Sequence, residues 1–149
     1  MPLFHNLSGV EMKNAKSKRG DAERAAVWVA REIFNCVVTR RAVRTQWQSV
    51  DFFGADVVGK KDDGSHVYIQ VTAGQDSAVT TRRRKLEKYP WHISDDVYLL
   101  QLRQTEDPAN ARRKLWFFRV HYYSSGQWYT ENEAIPVNKE WFKTYKEHI

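Results

Sequence analysis

The chain of 149 residues has 28% charged and 13% aromatic residues, a composition that excludes a disordered protein and fits one folded domain. Its 24 Lys and Arg outnumber 18 Asp and Glu and give a formal charge of +6, which favours a polyanionic partner such as nucleic acid. A single cysteine excludes an internal disulfide, and the sequence contains no long apolar stretch, so we expect a cytoplasmic protein with no membrane partner.

The first predicted elements are a basic arm over residues 1–19, which lack apolar periodicity, and a single domain over 20–149. A helix is expected over 21–34, with the Asp21 carboxylate as its N-cap. Glu23 lies on the apolar face of this helix, so its carboxylate needs a partner or a metal, although it also suits the helix N-terminus. The other residues of that face are predicted to be Ala22, Ala26, Val27, Val29, Ala30, Ile33 and Phe34.

A β-like run over 36–39 is followed by two predicted strands, 51–59 and 66–72. Asp62-Asp63-Gly64 between them is a strong turn signal, which predicts a β-hairpin with a three-residue loop and a left-handed glycine. The loop length determines which residues of the two strands face each other.

Counting outward from a Lys61–Ser65 pair places Asp56 opposite Gln70. Thr72 lies on the same face as Gln70, because strand side chains alternate. Opposed β-carbons are about 5 Å apart, which lets two oxygen ligands share one divalent cation. The alternative is an ordinary hairpin whose polar side chains face solvent.

The rest of the chain is predicted to continue with helices and strands, which gives an α/β fold with a mixed central sheet. The expected elements are a helix over about 77–89 that ends before Pro90, strands over 97–102 and 115–123 with a polar loop between them, and a short helix over 138–148.

Residues 17–86 resemble the archaeal and phage Holliday junction resolvases of the PD-(D/E)xK superfamily. The matching segments are Ser17-Lys18-Arg19-Gly20 before Glu23, then Arg40 or Arg41, then Ala55-Asp56-Val57-Val58, and finally Ile69-Gln70-Val71-Thr72. The resemblance implies a restriction-endonuclease-like fold, with a mixed central β-sheet flanked by helices. It also implies a homodimer that uses Mg²⁺, with Mn²⁺ as a substitute, to cleave four-way or otherwise branched DNA in recombination or repair.

The chain departs from the family pattern at two positions, with Gln70 in place of an acid and Thr72 in place of a lysine. Gln70 can bind a hard cation through its amide oxygen but adds no charge. Thr72 cannot replace an ammonium group that stabilises developing negative charge. We expect Lys85 of the following basic helix to supply that group, with Lys60 as the second choice.

The resemblance thus predicts a metal site formed by Asp56, Gln70 and the carbonyl of Val71, with Glu23, Thr72 and Lys85 completing the catalytic set. The basic residues expected to contact phosphates are Lys18, Arg19, Arg40, Arg41, Arg44, Arg82, Arg83 and Arg84. Two alternatives stay open: a branched-DNA-binding protein that has kept the fold and lost the chemistry, and a restriction or repair nuclease that cuts ordinary duplex.

Overall fold

The computed structural model describes residues 15–44, 49–50 and 52–138. They form two helices and nine strands. In chain order these are α1 (Ala15–Glu32), β1 (Cys36–Arg41), β2 (Val43–Arg44), β3 (Ser49–Val50), β4 (Val57–Lys61), β5 (His66–Thr72), α2 (Asp76–Glu87), β6 (Asp96–Asp107), β7 (Asn110–Ser124), β8 (Gln127–Thr130) and β9 (Ile135–Val137).

Seven of the strands form one mixed sheet in the order β1-β4-β5-β6-β7-β8, with β9 paired to β7. Strands β5 and β6 are parallel and are connected through α2, whereas the other neighbours in this sheet are antiparallel. The predicted α/β fold with a mixed central sheet is therefore confirmed. β2 and β3 form a separate antiparallel pair.

The two helices cover opposite faces of the sheet. Val67, Ile69 and Val71 of β5 belong to the core that contains α1. In β6 the alternate residue Gln101 points the other way and bonds to Asp76 at the start of α2. β5 and β6 thus have a helix over each face, which explains why β5 and the first half of β6 contain apolar residues pointing to both faces.

Helix α1 begins at Ala15, six residues before the predicted start, so the last part of the predicted arm is helical. The prediction that Asp21 caps the helix is wrong, because the helix already begins six residues before Asp21. The Asp21 carboxylate instead forms an ion pair with Arg24, one turn later. The predicted buried face is confirmed for its five Ala and Val positions between 22 and 30. Ile33 is exposed, because the helix ends at Glu32 and Asn35 adopts a positive φ of 60°.

The β4–β5 hairpin has the predicted loop and register. Lys61 N–H donates to the Ser65 carbonyl at 2.8 Å, and Gly64 has a φ of 89°. Val57 pairs with Ile69, which puts the preceding residue, Asp56, level with Gln70. The predicted strand start was wrong, because residues 52–55 form a separate tight turn before β4.

The predicted loop over 103–114 is instead the end of a long β6–β7 hairpin, in which Asp107 pairs with Asn110. Its side chains from 104 to 106 and from 110 to 113 are exposed, so the strands continue on backbone hydrogen bonds after the apolar pattern ends. Strands β8 and β9 were not predicted. The predicted C-terminal helix lies, apart from Asn138, outside the described residues.

Gly59 of β4 is expected not to tolerate a side chain, because a β-carbon there would overlap Cys36 Sγ and lie 2.9 Å from Cys36 Cβ. Gly59→Ala should lower the free energy of unfolding by about 1–3 kcal/mol through overpacking. Urea denaturation of both single variants and of Cys36→Ala/Gly59→Ala measures the effect. Since the thiol is the closest clash, the double variant should lose less stability than the two single variants together; strict additivity would contradict this contact.

Candidate functional site

Asp56 and Gln70 meet directly on the β4–β5 hairpin, and both are fully buried. Gln70 Nε2 donates to Asp56 Oδ2 at 2.7 Å, and the backbone N–H of Val71 donates to the same oxygen at 2.9 Å. β4 begins only after Asp56, so its carboxylate replaces the backbone carbonyl that would otherwise accept the Val71 N–H. Asp56 is therefore held by a main-chain group as well as by a side chain.

Gln70 Oε1 is buried and has no hydrogen-bond partner among the residues that the structure describes. A buried amide oxygen without a donor is costly, and a bound cation would satisfy it. The Val71 carbonyl lies on the other side of the amide group, 3.4 Å from Gln70 Nε2. Proteins commonly bind Mg²⁺ through one or two carboxylates and several waters, so the Asp56 carboxylate with the Gln70 and Val71 oxygens provides suitable donor types once the Gln70 amide turns Oε1 to the place where Nε2 lies.

Thr72 is buried two residues further along the same face, but its hydroxyl is used locally. Thr72 Oγ1 accepts the backbone N–H of Gly74 at 3.0 Å, in the turn that leads into α2. A β-carbon at Gly74 would lie 2.6 Å from the Ala78 β-carbon, so the chain enters the helix by a very close approach. Thr72 thus positions the start of α2 relative to the end of β5.

Lys85 lies on the side of α2 that faces β4. Its Cγ is 3.4 Å from the position of a β-carbon on Gly54, two residues before Asp56. Lys85 is half-buried, and it forms a polar, ring or electrostatic interaction with neighbouring residues. The structure therefore brings the aliphatic part of Lys85 to the turn that carries the candidate metal site.

Glu23 is 4% exposed and forms an ion pair with Arg41, whose Nη2 lies 3.0 Å from Glu23 Oε1. The predicted need for a partner is thus met by a β1 arginine that was itself expected to bind phosphate. This pair lies on the α1 side of the sheet, whereas Gln70 points to the α2 side. Its first role in the structure is to join α1 to the sheet.

The predicted DNA-binding residues are in several different environments. Arg40 and Arg84 are exposed and Arg82 is half-buried. Arg83 is used within the protein, since Nη2 bonds to His121 and its guanidinium lies 5.2 Å from the centre of the Trp128 ring. Lys18 and Arg19 lie in α1 and Arg44 in β2, and their side chains are outside the described residues.

Sequence reasoning missed a second polar group under α2, formed by Arg83, His121, Gln101 and Asp76. Arg83 can only donate, so His121 Nδ1 accepts at 2.9 Å and the neutral ring carries its proton on Nε2. His121 Nε2 then donates to Gln101 Oε1 at 3.2 Å, and Gln101 Nε2 donates to Asp76 Oδ1 at 3.2 Å. The available signal was a glutamine inside the apolar run Leu99-Leu100-Gln101-Leu102.

Burial is the main reason that the pKa of His121 falls to about 4, with the nearby Arg83 and Arg119 charges lowering it further. The imidazole is therefore neutral at pH 7, as the hydrogen-bond directions require. The network thus links α2 to β6 and β7 through a neutral imidazole and a neutral amide.

No family model matches the chain, and no curated protein or solved structure matches it. In the part of the chain that the structure describes, neither helix is long and apolar enough to cross a bilayer. The same residues contain no group of three or more His, Cys, Asp or Glu side chains that could hold a metal ion. A cation at Asp56 would therefore depend on amide and carbonyl oxygens for its other protein ligands.

The depressed pKa of His121 predicts a specific loss of stability in acid. The unfolded chain takes up a proton near pH 6.5 and the folded chain near pH 4, so stability should fall as the pH drops through this interval. Over this interval, the protonation of His121 should lower the free energy of unfolding by about 3 kcal/mol. Urea denaturation between pH 7 and pH 4 should show a steeper fall for the native protein than for His121→Gln. His92→Gln, at an exposed histidine, should keep the native slope; equal slopes for all three would contradict the assignment.

Proposed function

We propose that the chain is a divalent-metal-dependent DNA endonuclease that acts on four-way or otherwise branched DNA as a homodimer. The observation that carries this proposal is the buried contact between Asp56 and Gln70, in which Gln70 Oε1 lacks a hydrogen-bond partner. This contact joins the two residues that the resemblance to the Holliday junction resolvases assigns to one metal site. The order of helix, β-hairpin, basic helix and parallel strand is compatible with a restriction-endonuclease-like fold.

The Asp56 carboxylate, the Gln70 amide oxygen and the Val71 carbonyl would hold Mg²⁺ in this proposal, with the Gln70 amide turned so that Oε1 replaces Nε2 beside Asp56. The bound cation would lower the pKa of a coordinated water and neutralise charge on the scissile phosphate. Lys85 would orient the attacking water and stabilise the charge that develops on the phosphate. Its stem lies against Gly54, two residues before Asp56.

The basic side chains available for phosphate contact differ from the predicted set. Arg40 and Arg84 are exposed at the surface, and Arg82 lies one helical turn before Lys85. Arg41 and Arg83 already serve Glu23 and His121, so they would act by supporting the sheet and helix. The DNA affinity should therefore fall as the salt concentration rises, with a slope set by the number of exposed basic residues that contact phosphates.

A second candidate is a branched-DNA-binding protein on the same scaffold that no longer cleaves. It is favoured by the two N–H groups that already donate to Asp56 Oδ2, and by the absence, among the described residues, of a cluster of three or more His, Cys, Asp or Glu side chains. This protein would bind junctions equally well with Mg²⁺ or EDTA. A nuclease specific for ordinary duplex is the third possibility, and competition between junction and duplex DNA separates it from the first two.

The nuclease proposal predicts Mg²⁺-dependent nicking of a labelled four-way junction. Asp56→Asn keeps an oxygen for the Val71 N–H but removes the charge, and should lower the cleavage rate by at least about 100-fold. Lys85→Ala should lower it by about 10²–10³-fold. Both variants should still bind the junction in a gel-shift assay, because neither removes an exposed arginine.

Lys88→Ala is the matched control, since Lys88 is an exposed lysine just after α2 and should leave cleavage unchanged. Full activity of Lys85→Ala would transfer the lysine role to Lys60, which is exposed on β4. Absence of cleavage by the folded native protein with Mg²⁺ or Mn²⁺ would reject the nuclease proposal.

Restoring an acid at Gln70 tests the metal site without relying on cleavage. Gln70→Glu places a second carboxylate against Asp56 Oδ2, so in EDTA the variant should be less stable than the native protein by about 3 kcal/mol. Mg²⁺ or Mn²⁺ should reverse this loss, and the thermal midpoint should rise with metal concentration more steeply than that of the native protein. Recovery in acid but not with metal would show that the pair shares a proton and binds no cation.

A further inference from the structure

An aromatic cluster, formed by exposed Phe53 and half-buried Tyr68, Tyr89 and Trp91, lies at the turn of residues 52–55, just before Asp56. The Phe53 ring is 5.7–6.3 Å from the centres of the other three rings, and Tyr68 and Trp91 are 4.8 Å apart. The Trp91 indole is fixed because its Nε1 donates to the Leu86 carbonyl at 2.8 Å. The base of the cluster is thus held by the end of α2.

Phe53 occupies an unfavourable backbone position. It has a φ of 57° and is followed by Gly54 with a φ of 88°. The backbone bonds between Phe52 and Ala55, at 3.0 and 3.3 Å, close a two-residue turn around them. Asn, Asp or Gly is preferred where both central residues have positive φ, and a bulky residue is costly there. This cost points to a role for the ring.

The Phe53 ring is not placed there to fill the core, because the residue is 56% exposed. Its three ring neighbours are inclined to it by 68–87°, so among the described residues no parallel ring stacks on it. Some of its surface is thus left for a planar ligand. Since planar groups prefer offset-stacked or edge-to-face contacts with a ring, a flat aromatic ligand suits this position.

The charges around the cluster indicate the orientation of such a ligand. Lys85 lies against Gly54, next to Phe53, while Asp95 is close enough to Tyr68 to raise the pKa of its phenol, after the larger effect of burial. A ligand with a negatively charged end and a flat end would therefore place its charge toward Lys85 and away from Asp95. A nucleotide has this construction.

We propose that Phe53 and the rings beneath it bind an unstacked nucleobase of the DNA strand whose phosphate lies at Lys85. The inference rests on the proposed function, because it takes the same DNA strand as ligand. It adds the feature of the substrate that the site selects: a base not held in a continuous double helix, as at a junction, bulge or strand end. Stacking of this kind tolerates any base sequence, since every base presents a flat face.

The test compares metal-free binding of two probes in EDTA: a paired duplex, and the same duplex with one unpaired 2-aminopurine. The native protein should bind the second probe at least about fivefold more tightly and quench its fluorescence. Phe53→Asn suits the turn but lacks the ring, so it should lose both the preference and the quenching. Phe53→Tyr should retain both. Tyr129→Asn removes an exposed ring stacked on Tyr122, on the α1 side of the sheet, and should behave as the native protein.

Equal binding of both probes by the native protein, or an unchanged preference in Phe53→Asn, would overturn the inference. A similar loss for both probes would also overturn it, because stacking concerns only the unpaired base. Thermal midpoints of the variants separate loss of binding from loss of folding. Junction cleavage with Mg²⁺ is measured in parallel: cleavage without a Phe53 effect rejects the stacking site alone, and a Phe53 effect without cleavage rejects the nuclease alone.

Discussion

The hydrogen bond from the Val71 N–H to the Asp56 carboxylate is the interaction on which the arrangement of the α2 face depends. β4 begins only at Val57, so no β4 carbonyl is available to accept the Val71 N–H of β5. The Asp56 side chain accepts this N–H instead. This allows the chain before Asp56 to leave the sheet and form the turn around Phe53 and Gly54. The same bond holds the carboxylate in line with Gln70, so one contact positions both the turn and the candidate metal site.

The α2 face of the sheet contains two polar groups separated by apolar packing. Asp56 and Gln70 form the first, on β4 and β5, while Gln101 and His121 form the second, on β6 and β7. Leu99 lies between them, since it is level with Gln70 on one side and His121 on the other. Among the described residues the first group leaves an acceptor, Gln70 Oε1, without a donor, as a cation site requires. The second leaves only a donor, Arg83 Nε, without an acceptor, and otherwise forms a continuous chain of hydrogen bonds to Asp76. The first has the character of a binding site and the second that of a structural support.

The sequence predicted those features that depend on neighbouring residues. The Asp62-Asp63-Gly64 turn determines the hairpin register locally, so the Asp56–Gln70 contact followed from counting. The start of α1, the long β6–β7 hairpin and the network of His121 depend on distant backbone and side-chain partners, which periodicity does not report. Phe53 was missed for a related reason, because a phenylalanine in an apolar run indicates a strand, and its positive φ is visible only in the folded chain.

The close packing of Gly59 on Cys36 has a practical consequence for following motions of the sheet edge. Cys36 is the single cysteine of the chain, it is buried at the start of edge strand β1, and burial is the main cause that raises the pKa of its thiol. A thiol-reactive reagent needs an exposed thiolate, so modification requires β1 to separate from β4. The rate of alkylation at this one sulfur atom therefore measures how often the edge of the sheet opens, with no background from other sites.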